Sequence, residues 1–308
     1  MAANSRIEWT HHTFNPWRGC AKVSEGCANC YAEKTSKRNP KVLGEWGPLA
    51  NRVIAADNYW RQPLKWDRDA KAAGERRRVF CASLADVFED RPDLEAPRVR
   101  LFRLIEETPS LDWLLLTKRP ENVRAHVGIV AEHGVRMAHE WEINGNPPPN
   151  VWIGTSVENQ ETANHRIPEL VDIPACVRFL SCEPLLTRVN LRLESVGHRH
   201  RAELIHWVIV GGESGPNARP MAVRWARHLR DQCLSTGIPF FFKQWGAYVR
   251  SDQAPEDVWR ELDAERNLGA SSYARAFRVG KRRSGRLLDG VTWDEFPRAF
   301  RELPEKST

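Results

Sequence analysis

The sequence has no apolar run of the roughly 18 residues that a membrane-spanning helix needs, and MAANSRIEWTHH at its start has no charged stretch leading into a hydrophobic one. A soluble, cytoplasmic protein with no membrane partner is therefore expected. Internal repeats and low-complexity tracts are missing too, which leaves a globular fold. Seven cysteines cannot all pair, and disulfides are rare in a cytosolic chain, so a disulfide framework is not expected. A tight cysteine cluster in such a chain points to metal binding or redox chemistry.

What the chain does have is length and apolar content. Its 308 residues are 41% hydrophobic, enough to bury a large core in one main domain. The formal net charge is +6, a tilt towards polyanionic partners such as nucleic acid. The basic residues are uneven. ARAFRVGKRRSGR carries Arg275, Arg278, Lys281, Arg282, Arg283 and Arg286 with no acid, and RRR at 76–78 and HRHR at 198–201 add local density. The first run is the candidate phosphate-contacting segment, although each run alone also reads as a solvated face.

Six short apolar runs read as buried parallel strands: RVFCAS (78–83), WLLLT (113–117), VWIGTS (151–156), VRFLSCE (177–183), WVIVGGE (207–213) and PFFFKQW (239–245). Amphipathic stretches at 92–108, 119–134, 158–171 and 222–237 read as the helices between them, and NGNPPPN (144–150) as a loop. With an initial strand near RIEWTHHT, the fold class expected is α/β, a complete or partial (β/α) barrel of about six to seven parallel strands. An open doubly wound sheet is the alternative. Residues 1–246 would form the barrel and 247–308 a basic C-terminal extension. Every strand ends in small or polar residues, among them Ser83, Asp86, Thr117, Lys118, Ser156, Glu183, Glu213, Lys243 and Gln244. In α/β folds the loops converge at those ends, so these side chains should share one rim.

FNPWRGCAKVSEGCANCYAEK holds Cys20, Cys27 and Cys30, spaced C-x6-C-x2-C. A four-cysteine zinc site would want a second C-x2-C pair, which Cys81, Cys176, Cys182 and Cys233 do not supply. Two readings of the spacing remain: a zinc site completed by His11 or His12, and an iron–sulfur cluster with one iron left open to a ligand, which thiolate softness favours.

NPWRGCAKVSEGCANCYAEK resembles the cluster loop of radical S-adenosylmethionine (SAM) enzymes of the spore photoproduct lyase group, whose loop has the form N-P-Y-x-G-C, two further cysteines, then Y-A. It resembles still more the phage-associated three-cysteine-motif family, along with LTKRPENV, GTSVENQ, SCEPLL, GGESGP, KQWG and GRLLDGVTWDEFP. The resemblance implies that Cys20, Cys27 and Cys30 hold a 4Fe-4S cluster, and that SAM binds its open iron and yields a 5′-deoxyadenosyl radical. The usual spacing in those enzymes is C-x3-C-x2-C, three residues shorter than here. FCASLAD resembles a lyase segment that assigns Ser83 to the SAM amino group and Cys81 to hydrogen donation, with Asp86 beside them. By the same resemblance Lys118, Ser156 and the backbone of Gly211, Gly212 and Glu213 contact SAM, and Tyr31 relays hydrogen, while Asn29 stands where the lyases have a tyrosine. Glu183 would either meet the cofactor or substrate or pair with an arginine such as Arg219. The function implied is a radical SAM-type enzyme acting on nucleic acid, with an external electron donor and a separately encoded partner protein. The alternative is a non-catalytic phage accessory or nucleic-acid-binding protein whose N-terminal loop is stapled by metal.

Overall fold

A computed structural model describes residues 5, 7–193, 204–266 and 275–297 of the chain. The HRHR run lies outside them. Seven strands form one parallel sheet: β1 (His12–Phe14), β2 (Arg77–Cys81), β3 (Leu111–Thr117), β4 (Val151–Ser156), β5 (Val177–Cys182), β6 (Trp207–Gly211) and β7 (Phe240–Gln244). They pair strictly in chain order, and the sheet curls into a half-barrel. With no reversal of strand order there is no switch point, so the doubly wound alternative falls and the partial barrel stands. The first strand is shorter and later than RIEWTHHT suggested.

Helices cover the convex face of the sheet. The main ones are α1 (Gln62–Ala72), α2 (Glu95–Glu106), α3 (Val123–Glu132), α4 (Gln160–Asp172) and α5 (Val223–Thr236). The start of α4 is fixed by a capping box: the Asn159 side chain accepts from the Thr162 backbone N–H, and the Thr162 hydroxyl accepts from the Asn159 N–H. The end of α5 is set by Gly237 at φ 72°, a left-handed position that favours glycine.

Strand residues alternate between two packed layers, as a period of two requires. Val79, Cys81, Leu115, Ile153, Leu180, Cys182, Val208 and Phe242 pack with the helices. Phe80, Leu114, Trp152, Phe179, Trp207, Ile209 and Phe241 form a separate aromatic cluster on the concave side, joined by Trp9 from the N-terminal segment and Phe296 from the tail. Gly154 is required in that layer because a Cβ there would sit 2.4 Å from the Phe179 ring.

Beyond β7 the described residues form two parts. An antiparallel ribbon (Tyr248–Arg250 with Ala276–Arg278) and the helix Glu256–Arg266 enclose a small cluster of Val258, Leu262 and Phe277. The tail then returns to the barrel. The Phe242 N–H donates to Trp293 O (3.0 Å), the Phe240 N–H to the Glu295 carboxylate (2.8 Å), and the Trp207 indole to Glu295 O (2.8 Å). Residues 293–296 thus cover the outer edge of β7, the kind of free strand edge that proteins rarely leave bare.

Candidate functional site

Above the aromatic layer the concave face changes character. At the strand ends and in the residues directly after them, Ala82, Lys118, Ser156, Ser181, Glu183 and Lys243 line a cavity of about 510 Å³, within the usual range for a small-molecule site. Its lid is the cysteine loop, and Cys20, Cys27 and Cys30 all line it. Trp9, Phe80 and Leu116 supply its apolar floor.

The loop is fastened by polar contacts from three sides. Arg119 donates to Ala21 O (2.9 Å) while paired with Asp86 (2.9 Å), which also accepts from the Thr117 hydroxyl (2.7 Å) and the Lys118 N–H (3.0 Å). The Asn29 side chain donates to Glu213 (3.1 Å), and Arg219 bridges Glu213 (2.9 Å) and Glu25 (2.8 Å). Ser24 donates to Glu158 (3.1 Å), a fully buried carboxylate that also receives Lys118 and Arg166. The turn into the loop needs Gly19, at φ 107°, where a Cβ would lie 2.7 Å from Glu45 O.

Burial pushes both Glu158 and Glu213 towards the neutral form, but their partners outweigh it. Lys118, Arg166 and Ser24 hold Glu158 below the usual carboxylate range, and Arg219 and Asn29 do the same for Glu213. Burial, aided by Asp86, drives the Cys20 thiol up to about 12, and burial raises Cys30 as well. The Cys20 thiol donates to Ala21 O (3.4 Å), and the Cys27 sulfur lies 3.8 Å from the Ser24 hydroxyl. The three thiols therefore share a wall but not a point: among the described residues no group of three or more His, Cys, Asp or Glu side chains is gathered as a metal site.

Of the other residues singled out in the sequence, Tyr31, Ser83, Lys118, Ser156, Gly212 and Glu213 line the cavity. The Tyr31 hydroxyl donates to Ser83 O (2.8 Å). Gly211 does not reach the lining, because the Glu183 carboxylate covers it and would meet a Cβ at 3.2 Å. Cys81 is the clearest departure. It is fully buried in the helix-side layer and absent from the cavity wall; β2 ends at Cys81, so the alternation that would have put it on one face with Ser83 does not continue. Glu183 pairs with Lys243 (2.8 Å) rather than with Arg219. His11 accepts from the Arg78 N–H and His12 stacks on Trp66, so neither joins the cysteines as a fourth ligand.

The basic run is divided by the fold. Arg283 pairs with Glu261 and Arg286 with Asp294, and Arg278 donates to Pro216 O (3.1 Å). Arg275, Lys281 and Arg282 are exposed, and Lys281 reaches the cavity rim. The RRR run is likewise structural in part, since Arg76 pairs with Asp112 (2.6 Å) and Arg78 donates to Trp9 O (3.1 Å). Sequence reasoning missed Glu158, Arg119 and Arg166; Glu158 was visible only as a carboxylate two residues beyond the strand-end Ser156.

The family model described as protein of unknown function (DUF5131) matches residues 4–297. The chain belongs to this family. A search of curated proteins found no match. Among solved structures, a spore photoproduct lyase mutant with a dinucleoside spore photoproduct is similar at 13% identity and a TM-score of 0.41. The similarity covers 74% of this chain and 62% of that one, so the chain spans less than two thirds of the lyase's length. At that distance the site's own chemistry has to carry the functional reading.

Proposed function

We propose that this member of the DUF5131 family is a radical SAM-like iron–sulfur enzyme, with Cys20, Cys27 and Cys30 as ligands of a 4Fe-4S cluster and SAM as its second cofactor. The observation that carries the reading is that three unpaired thiols line the same cavity as Lys118, Ser156, Ser83 and Glu213 over an apolar floor. The donors fit the group in kind: they are soft, free of disulfides and close to cations, with Lys22 and Lys118 on the same wall. When bound, such a pair of cofactors supplies one-electron reductive cleavage of a sulfonium to a carbon radical.

The chain's own part is binding, orientation and exclusion of water. Lys118, Ser156 and Ser83 would meet the amino and carboxyl groups of SAM, and Glu213 its ribose hydroxyls. Trp9, Phe80 and Leu116 would keep water from the reacting end. Tyr31, bonded to Ser83 O, is the side chain on this wall able to pass a hydrogen atom; Cys81, behind the sheet, is not. A nucleic-acid substrate is supported by the net charge and by Lys281 at the rim, with Arg275 and Arg282 exposed beyond it. The barrel at 1–246 would hold the cofactors and the extension at 247–308 would meet the substrate's phosphates.

Anaerobic reconstitution with iron and sulfide should give the broad visible absorption of a cluster, lost on replacing any one of Cys20, Cys27 or Cys30 by Ala. Reduction with SAM present should then release 5′-deoxyadenosine. Zinc alone after anaerobic purification, or a full cluster in all three variants, would overturn the reading. The metal-staple alternative is less well supported, because Arg119, Ser24, Asn29 and Arg219 already fasten the loop.

A further inference from the structure

We propose that Glu158 is the positioning residue of the cysteine loop: a buried carboxylate post that fixes the turn carrying Cys27 relative to Lys118. The post is rigid at its base. The Glu158 N–H donates to the Thr162 hydroxyl (3.0 Å), its carbonyl accepts from the Leu186 N–H (2.8 Å), and Asn159, the N-cap of α4, follows it directly. Its side chain has no exposed surface. A bare carboxylate in that position would be costly, so its oxygens have to be satisfied.

How they are satisfied reveals the role. Arg166 alone takes one oxygen (2.8 Å), which would suffice to balance the charge. The other receives both Lys118 and Ser24. Ser24 begins the turn that carries Cys27, since the Cys27 N–H donates to Ser24 O (2.9 Å) and the Ser24 hydroxyl lies 3.8 Å from the Cys27 sulfur. Of the two residues between them, Gly26 approaches so closely that a Cβ would stand 2.5 Å from the Glu158 carboxylate oxygen. A carboxylate serving only Arg166 would need neither the serine nor the glycine. Glu158 therefore joins β3, α4 and the cysteine loop at one atom pair, and the spacing between Lys118 and Cys27 is set through it.

This role gives the proposed cofactor site its geometry and rests on that reading for its chemical purpose, but it can be tested on the metal-free chain. Site-resolved alkylation by iodoacetamide, read by peptide mass spectrometry, reports each cysteine separately. Glu158→Gln should raise the rate at Cys27 roughly tenfold and Ser24→Ala about threefold, from the loss of charge-assisted hydrogen bonds. Cys233, buried in α5, should keep its wild-type rate in both variants. An unchanged Cys27 rate in both variants, or an equal rise at Cys233 and Cys27, would overturn the role, the latter by showing general loosening. Should Glu158→Gln fail to fold, Ser24→Ala and Gly26→Ala decide in the same way. Iron uptake is then measured on the same proteins. If the wild type binds none, the cluster reading falls while the alkylation rates still decide the role of Glu158.

Discussion

The two halves of the concave face are built on the same strands and follow the same alternation, yet one is packed shut and the other is open. Below, Trp207 touches Trp9, Trp152, Phe179, Phe241 and Phe296, with ring centroids 5.2–6.2 Å apart. Above, the inward positions are Ala82, Lys118, Ser156, Ser181, Glu183 and Lys243 around a cavity. The difference teaches that a half-barrel needs no closing strands where large rings can fill its interior. Its opening is then set by where side-chain size drops along each strand.

The largest expected effect comes from breaking the packed half. Trp207→Ala should lower unfolding free energy by about 3–5 kcal/mol, read by chemical denaturation, whereas Ser181→Ala in the open half should change it by less than about 0.5 kcal/mol. Equal losses would mean that the two halves are not distinct. Phe296→Ala removes a half-buried ring from the same cluster and from beneath the Arg78 guanidinium (4.1 Å), and should cost about 2 kcal/mol. Cys81→Ala should cost about 1 kcal/mol and leave binding of the proposed cofactors unchanged, because the thiol faces the helices; altered product formation by a folded variant would return it to the site.

The smallest effect concerns pH. Arg227, then Arg230, hold the Asp289 carboxyl at about 2, below its ordinary 3.8. Between those values the unfolded chain binds more protons, so the stabilisation is present above pH ~4 and disappears as pH falls through about 2. Asp289→Asn should therefore be less stable than wild type by under ~1 kcal/mol at neutral pH, the pair being partly solvated, and should converge with it in acid. A gap independent of pH would show that the ion pairs contribute nothing.

The strands were legible because a parallel sheet buried on both faces writes continuous apolar runs, and VWIGTS coincides with β4. The rim was legible for the same reason, since polarity begins where each run stops. The Cys81 side chain was not, because the face of a residue at a strand terminus depends on where the strand ends. Nor were the contacts between Asn29 and Glu213 or Ser24 and Glu158, which join residues far apart in the chain and leave no local pattern. The helix Gln62–Ala72 was missed because QPLKWDRDAKA buries only Pro63, Trp66 and Ala70, a stripe too thin to stand out. In sequence the basic run carries no acid of its own, whereas Glu261 and Asp294, on either side of it, pair with two of its arginines.

The strap formed by residues 293–296 has a consequence for biosynthesis. All seven strands are made in the order in which they pair, so the sheet can assemble as the ribosome delivers it. Its interior has to wait, because Phe296 and the Glu295 carbonyl that receives the Trp207 indole are translated only after all seven strands. Until the strap leaves the exit tunnel, the nascent chain carries an unfinished aromatic surface beside the bare edge of β7. That interval is when a holding chaperone would find the most to grip.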